Sequence, residues 1–481
     1  MPNLTGKVVA ATKWSTITEI AAKLVSPITT MVLARLLTPT DFGVLVTATM
    51  VISFSEIFTD AGFQKYLIQH QFKSDKDLYD ATTVAFWSNL FMSLLIWVAI
   101  IILCEPIAAL VGNPGRGQVV AISCVCIPLA AFSSIQMALF KRKFDFKTLF
   151  YIRIIGILIP IIITIPLAFF TRSYWALIIG MIALNLSNAV ILTLKSEWKP
   201  RIFYDWLLFK SMFSFSFWSM IEAVSIWLTS YVDIFIIGRL LNEHYLGIYR
   251  TSMSTVGQIM SLITAATTPV LFSALSRLQD DDKEFKDMFF KFQKIVGILV
   301  IPLGVGIYLF RHLLTDILLG SQWHEAANFI GLWGLTSSIT IVLSHYCSEI
   351  YRAKGKPRLS VLVQILHIMC LIPTILWSIH YSFDFLCEMR SLVRLTLVIF
   401  NLIILYFLTK ISPVAMVKNV ASALFGAFIM VIVYIMLPHN ISIIYQLLLV
   451  IICAITYIVS IMIFRENRDI IFNFKNLIVK K

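Results

Sequence analysis

Arg35-Leu36-Leu37-Thr38-Pro39-Thr40-Asp41-Phe42-Gly43 returns in outline 204 residues later as Arg239-Leu240-Leu241-Asn242-Glu243-His244-Tyr245-Leu246-Gly247. Both stretches open on Arg-Leu-Leu and close on Gly. The same offset relates Trp14-Ser15 to Trp218-Ser219, and Ile17, Leu24, Ser26 and Thr47 to Ile221, Leu228, Ser230 and Thr251. The chain is therefore an internal duplication, and both copies lie in apolar sequence. Many secondary transporters are duplicated membrane bundles with a substrate path between the halves.

The apolar setting extends along the chain. Of 481 residues, 59% are hydrophobic and 14% charged, against about 25% charged in a soluble domain. Mean hydropathy is +0.87. Runs near the roughly 20 residues needed to cross a bilayer recur from Trp14 to Phe464. Backbone groups in hydrocarbon must bond internally, and alternation of period two is absent, so the runs read as helices and not as barrel strands. Fourteen spans are expected, at 14–34, 44–63, 80–103, 118–139, 149–170, 174–194, 213–237, 247–275, 292–310, 326–350, 359–380, 391–409, 419–437 and 443–464. The first contains Glu19 and Lys23, and so reads as a mature span and not as a cleavable signal.

Basic residues give the orientation. With the N-terminus in the cytoplasm, the inside segments hold 28 Lys and Arg, and the outside loops hold six: Arg35, Arg116, Arg172, Arg239, Arg311 and Arg390. Both termini are then cytoplasmic, and the net charge of +13 is mostly topology, with no compact basic domain for nucleic acid. Six spans separate the copies, so the repeat is parallel. The expected organisation is all-α: a six-helix lobe over 1–203, a second over 204–410, and a terminal helix pair with a cytoplasmic tail over 411–481. The basic loops Phe140 to Lys147 and Tyr351 to Arg358 suit contact with anionic lipid, or a rim that meets an anionic headgroup.

Charges inside spans are costly, at least about 2.5–3.5 kcal/mol each near the bilayer centre. Glu19 and Lys23 lie one turn apart on span 1, as do Glu56 and Asp60 on span 2. Span 7 carries Glu222 and Asp233; Arg250 opens span 8 at the depth of Asp233, with which it is expected to pair. Arg153, His345, Glu349, His367 and Arg394 complete the set. The cations Lys23, Arg250, Arg153 and Arg394 are candidates to bind an anionic headgroup such as a diphosphate. Snorkelling to the interface is the plainer reading of Arg153 and Arg394. Glu19, Glu56, Asp60, Glu222, Asp233 and Glu349 are candidates for ion coupling or structural ion pairs. Arg35 and Arg239, at outside turns, read as hinge or rim residues. Prolines within spans (Pro27, Pro128, Pro160, Pro166, Pro269, Pro302, Pro373) permit bends.

Several chemistries are disfavoured. The seven cysteines form no metal or redox pattern and read as packing residues. No G-x-x-x-x-G-K-[ST] loop is present, so ATP hydrolysis is not expected. Asp75-Lys76-Asp77 and Asp280-Asp281-Asp282 lie in short loops beside lysines and read as solvated. Asn185-Leu186-Ser187 matches a glycosylation triplet but lies in an apolar span. No cofactor, metal or catalytic residue is expected.

Ala34 to Gly43 resembles the signature after the first span of Wzx-type polysaccharide flippases. So do Asp60-Ala61-Gly62-Phe63 with Leu67-Ile68-Gln69, Gly112-Asn113-Pro114, Phe140 to Phe146, Gly238 to Leu241, and Leu246 to Tyr249. Ser276 to Asp281, Gly320 to Trp323 and Lys354 to Pro357 extend the resemblance over roughly residues 5–360. It is nearest to exporters of colanic-acid and teichuronic-acid type and to O-antigen flippases. The resemblance implies the multidrug/oligosaccharidyl-lipid/polysaccharide exporter fold, with two six-helix lobes in a V and two added C-terminal helices. It implies transport, not catalysis: undecaprenyl-diphosphate-linked oligosaccharide crosses the bacterial inner membrane by alternating access, for O-antigen, capsule or exopolysaccharide synthesis. A proton or sodium ion, a polysaccharide polymerase and a chain-length regulator enter as expected partners. Two readings stand as alternatives: a cation-coupled multidrug exporter of the same fold, and a membrane glycan polymerase or ligase.

Overall fold

The computed structural model describes the backbone of residues 4–60, 63–356, 358–438 and 442–472. Among these the secondary structure is helical, with no strand. Among the described residues, twelve helices are long and apolar enough to cross a membrane, thirteen if the bent pair Pro413–Asn419 and Ala421–Met436 is one span. Among the described residues the expected spans fall on helical sequence, the first on Leu4–Leu36, and those at 118–139, 149–170, 326–350 and 391–409 each on more than one helix.

The chain divides into two compact units, Met1–Arg250 and Thr251–Lys481. In unit 1 the helices are α1 (Leu4–Leu36), α2 (Pro39–Asp60), α3 (Phe63–Gln69), α4 (Asp75–Ile102), α5 (Cys126–Arg142), α6 (Phe146–Ile159), α7 (Trp175–Lys195) and α8 (Trp206–Leu240), followed by the start of α9 (Glu243–Arg277). Helix α5 is the hub and packs on α2, α3, α4 and α7. Its Ile135 and Ala138 are fully buried against Phe86 of α4 and Leu67 of α3. Helix α8 belongs to this unit, where it packs on α2, α3 and α4.

The repeated signature explains that docking. Thr38 and Asn242, at the same position of the two copies, cap the helices that follow. Thr38 Oγ1 accepts from the Asp41 amide at 3.3 Å, and Asn242 Oδ1 from the Tyr245 amide at 3.1 Å. The glycine closing each copy then brings α2 against the first turns of α9. A Cβ at Gly247 would lie 2.7 Å from the Pro39 carbonyl carbon and 2.9 Å from the Gly43 nitrogen. One at Gly43 would lie 2.6 Å from the Glu243 carbonyl carbon. Gly112, at φ +91°, makes a similar approach, its missing Cβ 2.9 Å from the Gly238 Cα. The backbones meet where only hydrogen fits.

Side chains tie the same end together. Asp41 accepts from the Thr38 amide (2.9 Å) and from the Tyr174 amide (2.8 Å). Arg116 lies over the Tyr174 ring at 5.0 Å and pairs with Glu243 at 3.2 Å. At the opposite loops, Lys143 pairs with Glu197, and Arg201 with Asp80. There the Tyr79 hydroxyl donates to the Lys199 carbonyl at 2.6 Å, and Arg142 donates to that of Leu67 at 2.6 Å. Loops that the charge count places on one side thus meet one another.

In unit 2, α10 (Asp282–Leu309) packs on α11 (Ala326–Thr340); α12 (Phe383–Val393) and α13 (Leu395–Thr409) pack on α11. The terminal pair, α14 (Ala421–Met436) and α15 (Ile443–Met462), also packs on α10. Pro27 and Pro302 sit inside helices, as does Pro373 in Arg358–Ser378. Pro160 opens a π-helical turn, Pro160–Thr164, as its missing N–H disfavours the regular ladder. Pro128 and Pro166 lie in first helical turns, where no N–H is needed. The Pro269 side chain lies outside those described.

Candidate functional site

A polar pocket of about 440 Å³ lies within unit 1. Six helices supply it: α2 (Ser53, Glu56, Thr59), α3 (Gln64, Lys65), α4 (Asn89), α5 (Ser133, Ser134, Met137), α7 (Asn185, Asn188) and α8 (Met220, Ala223). The volume is within the roughly 300–1,000 Å³ of small-molecule sites. Helix α5 positions the wall: Ile135 is buried in the core, while Ala131, Ser133 and Ser134 line the pocket. Trp227 of α8 donates its indole N–H to Ser53 Oγ at 3.0 Å and lies against Phe54 at 4.7 Å, which closes the aromatic flank.

Asn89 is fully buried. Its Nδ2 donates to Ser134 Oγ at 2.8 Å and faces the Ala131 carbonyl at 3.4 Å. Ser134 directs its own hydrogen to that same carbonyl at 3.1 Å. The Ala131 carbonyl needs a donor, which favours this orientation of the amide. Oδ1 is left without a hydrogen-bond partner. A buried orphan acceptor of this kind costs about 1–3 kcal/mol and calls for a donor from elsewhere.

Unit 2 leaves some buried hydroxyls unpaired, among them those of Ser252 and Thr255, but its amides are bonded. Its buried amides satisfy one another: Asn401 Nδ2 donates to Ser344 Oγ at 2.7 Å, and Tyr351 donates to Asn401 Oδ1 at 2.9 Å. Asn419 donates to Gln293 Oε1 at 3.0 Å and to the Phe290 carbonyl at 2.8 Å. Unit 2 also holds an apolar groove of about 670 Å³ lined by α10, α14 and α15, including Pro302, Phe310, Met430, Leu447 and Tyr457. The Tyr457 hydroxyl donates to the Ile298 carbonyl at 2.7 Å, so the one polar tip among these residues is satisfied. Such a groove suits hydrocarbon.

Comparison with known proteins bears on a bundle that carries both features. The family described as polysaccharide biosynthesis protein matches residues 32–328, more than half the chain. The chain belongs to this polysaccharide biosynthesis protein family. Among related proteins, an uncharacterized membrane protein in the cps region of Klebsiella pneumoniae is 23% identical over 77% of this chain and 76% of its own length. The succinoglycan biosynthesis transport protein ExoT of Rhizobium meliloti is 23% identical over 68% of this chain and 65% of its own. The lipopolysaccharide biosynthesis protein WzxC of Escherichia coli is 21% identical over 67% and 65%. Among solved structures, the lipid II flippase MurJ in an inward closed conformation superposes with a TM-score of 0.73 at 13% identity, covering 96% of this chain and 99% of MurJ. An inward-facing multidrug resistance MATE transporter gives 0.59 at 12% identity, covering 84% and 99%. The fold is therefore the exporter fold that the resemblance implies.

Within this family framework the candidate residues scatter. Glu56 lies in the unit 1 pocket. Lys23 is half-buried on α1. Asp233 is buried; its carboxylate accepts from the Tyr249 hydroxyl at 2.7 Å and from the Ile234 amide at 2.8 Å. Arg250, its expected partner, lies over the Tyr231 ring at 5.7 Å. Arg153 is exposed, as are Arg35 and Arg239, in the last turns of α1 and α8. Glu349 is buried and pairs with Arg352 at 3.5 Å. His367 bonds Thr396 Oγ1 at 2.8 Å, and His345 Nε2 bonds Thr268 Oγ1 at 3.3 Å. The side chains of Glu19, Asp60 and Glu222 lie outside those described.

Charge-seeking missed two features. Asn89, Ser133, Ser134, Asn185 and Asn188 are neutral; their signal is amides and hydroxyls in apolar spans, with Asn185 and Asn188 one turn apart. Arg390, counted as an outside residue, is buried. It lies over the Trp333 ring at 4.8 Å, with Arg394 over the same ring at 4.2 Å and bonded to Ser337. Those two contacts run within unit 2, so Arg394 is held by an indole and a hydroxyl.

Proposed function

We propose that the protein is a flippase for undecaprenyl-diphosphate-linked oligosaccharide repeat units. It moves them across the bacterial inner membrane by alternating access, with both termini in the cytoplasm. The observation that carries the reading is a polar, incompletely satisfied pocket inside a membrane bundle of the polysaccharide biosynthesis family. A carrier for an amphiphile needs polar surface for the glycan headgroup and apolar surface for the isoprenoid tail. The unit 2 groove supplies the second kind. Basic residues concentrated in the loops assigned to the cytoplasm support the orientation. Lys23, Arg250, Arg153 and Arg394 remain the cations proposed to meet the diphosphate. Glu56, Asp233 and Glu349, with Glu19, Asp60 and Glu222, remain the acids proposed for coupling to a proton or sodium gradient. Arg35 and Arg239 are proposed as rim residues at the outer mouth. The polymerase and chain-length regulator are proposed downstream partners. The lobes are proposed at 1–203 and 204–410, with 411–481 as an added pair.

Deletion of the gene tests the proposal. Surface polysaccharide should fall, and lipid-linked repeat units should accumulate in the inner leaflet, where added glycosidase cannot reach them in intact spheroplasts. Normal surface polysaccharide in the deletion strain would refute it.

A further inference from the structure

We propose that the polar pocket of unit 1 is a sugar-reading subsite that takes a neutral, hydroxyl-rich ring of the lipid-linked glycan, apart from the diphosphate. The inference rests on the flippase reading and specifies which part of the substrate this pocket holds.

The lining argues by elimination and then by fit. Glu56 places a carboxylate in the wall, so a diphosphate there meets a like charge in a poorly screened setting. Lys65 places an ammonium in the same wall, so the two charges offset and the wall favours no highly charged ion of either sign. The other polar groups are neutral amides and hydroxyls. A pyranose hydroxyl both donates and accepts, and an acetamido substituent does the same, so such groups match a sugar ring better than either ion. Asn89 Oδ1 is the sharpest feature, because its amide is held by Ser134 and the Ala131 carbonyl while this one acceptor goes unused. It requires an O–H or N–H. Asn185 and Asn188, one turn apart on α7, line the pocket together. Asn185 is itself held, donating to the Met181 carbonyl at 3.0 Å. Polar groups fixed in advance discriminate strongly, because a ring lacking the matching hydroxyl leaves them buried and unpaired. The pocket therefore selects among repeat units by their sugar, while the carrier lipid is common to all.

The test uses the full chain in lipid nanodiscs and two probes, undecaprenyl diphosphate and the complete undecaprenyl-diphosphate-linked repeat unit from the deletion strain, with binding read by native mass spectrometry. Wild type should hold the repeat unit more tightly than undecaprenyl diphosphate. Asn89→Leu and Asn188→Ala should each weaken the repeat unit about tenfold, equivalent to roughly 1.4 kcal/mol, and leave undecaprenyl diphosphate within about twofold. Asn188→Ala decides the matter if Asn89→Leu fails to fold, as judged by its thermal unfolding. Weakening of both probes alike, or of neither, overturns the subsite. Wild type that binds the two probes equally overturns the subsite and leaves the flippase reading standing. Wild type that binds neither overturns both. Sodium-dependent occupancy that displaces the repeat unit also overturns it.

Discussion

Gly247→Ala is the most direct perturbation of the contact between the two signature copies. The new Cβ would stand 2.7 Å from the Pro39 carbonyl carbon and 2.9 Å from the Gly43 nitrogen. Carbon atoms settle at about 3.5–4.0 Å, so α2 and the start of α9 must part by roughly 1 Å. Neither obstacle can swing aside, because both are backbone. Overpacking of this kind costs about 1–3 kcal/mol. Alanine also favours the helix over glycine, but that gain applies whether or not the copies touch, and so it cancels. If transport requires the copies to separate, the variant shifts the equilibrium toward the separated state by roughly 5- to 150-fold, at 1.4 kcal/mol per factor of ten. The reporter is Thr47→Cys, introduced after the seven native cysteines are replaced. Thr47 is fully buried and accepts from Asn113 in the closed contact. The rate at which a membrane-impermeant maleimide labels the thiol at this position on whole cells should rise by that factor. Gly257→Ala, which has nothing within 4 Å of its new Cβ, is the control. An unchanged rate in a folded Gly247→Ala protein would refute the argument that this contact holds a closed state.

Gly43→Ala should raise the same rate, and the double variant should add little, because both substitutions break one contact and close neighbours are not additive. Gly112→Ala should destabilise the protein more than Gly115→Ala in thermal unfolding. Both positions have positive φ, but only Gly112 has backbone against it. Lys23→Ala and Arg250→Ala should each impair polysaccharide export in the complemented deletion strain while protein stays in the membrane; full export in both would remove them from the mechanism. Trp333→Leu should lower the unfolding temperature more than Trp333→Phe, because two guanidiniums lie over this ring at about 0.5–2 kcal/mol each. Equal effects would assign the indole a packing role only.

The architecture was legible because it rests on patterns that one chain carries in full. Apolar length locates helical sequence without knowledge of its neighbours, but not the breaks within it, such as that between Ser123 and Cys126. The duplication was legible for the same reason. Its physical meaning was not, because a glycine's close partner lies far along the chain: nothing around Gly43 names Glu243. The candidate site was read through charge, and charge is ambiguous within a bundle. Asp233 is met by Tyr249, Glu349 by Arg352, and Arg394 by Trp333 and Ser337. Each is thus wholly or partly answered by a neighbour. Asn89 attracts no notice in the sequence, because an asparagine becomes exceptional only when its surroundings leave one atom unpaired.

The buried amides of the two units differ in how fully they are bonded, and the difference bears on the proposed recognition of a glycan. In unit 2, Asn401, Tyr351, Ser344, Asn419 and Gln293 form bonds that close on themselves. A closed network of this kind stabilises one arrangement and offers no bond to a passing molecule. In unit 1, Asn89 is held by two bonds, yet one acceptor is left over. An unmet acceptor of this kind costs stability, and a hydroxyl or amide donor offsets that cost. A site built so rewards the right ring and penalises the wrong one, whereas a site built of charge rewards any anion. In the substrate proposed above, the diphosphate and isoprenoid are common to every repeat unit, and only the sugars can set one apart. Under the proposed function, neutral and pre-oriented amides are the groups suited to select by sugar, and the charged residues are those proposed to meet the part common to every repeat unit.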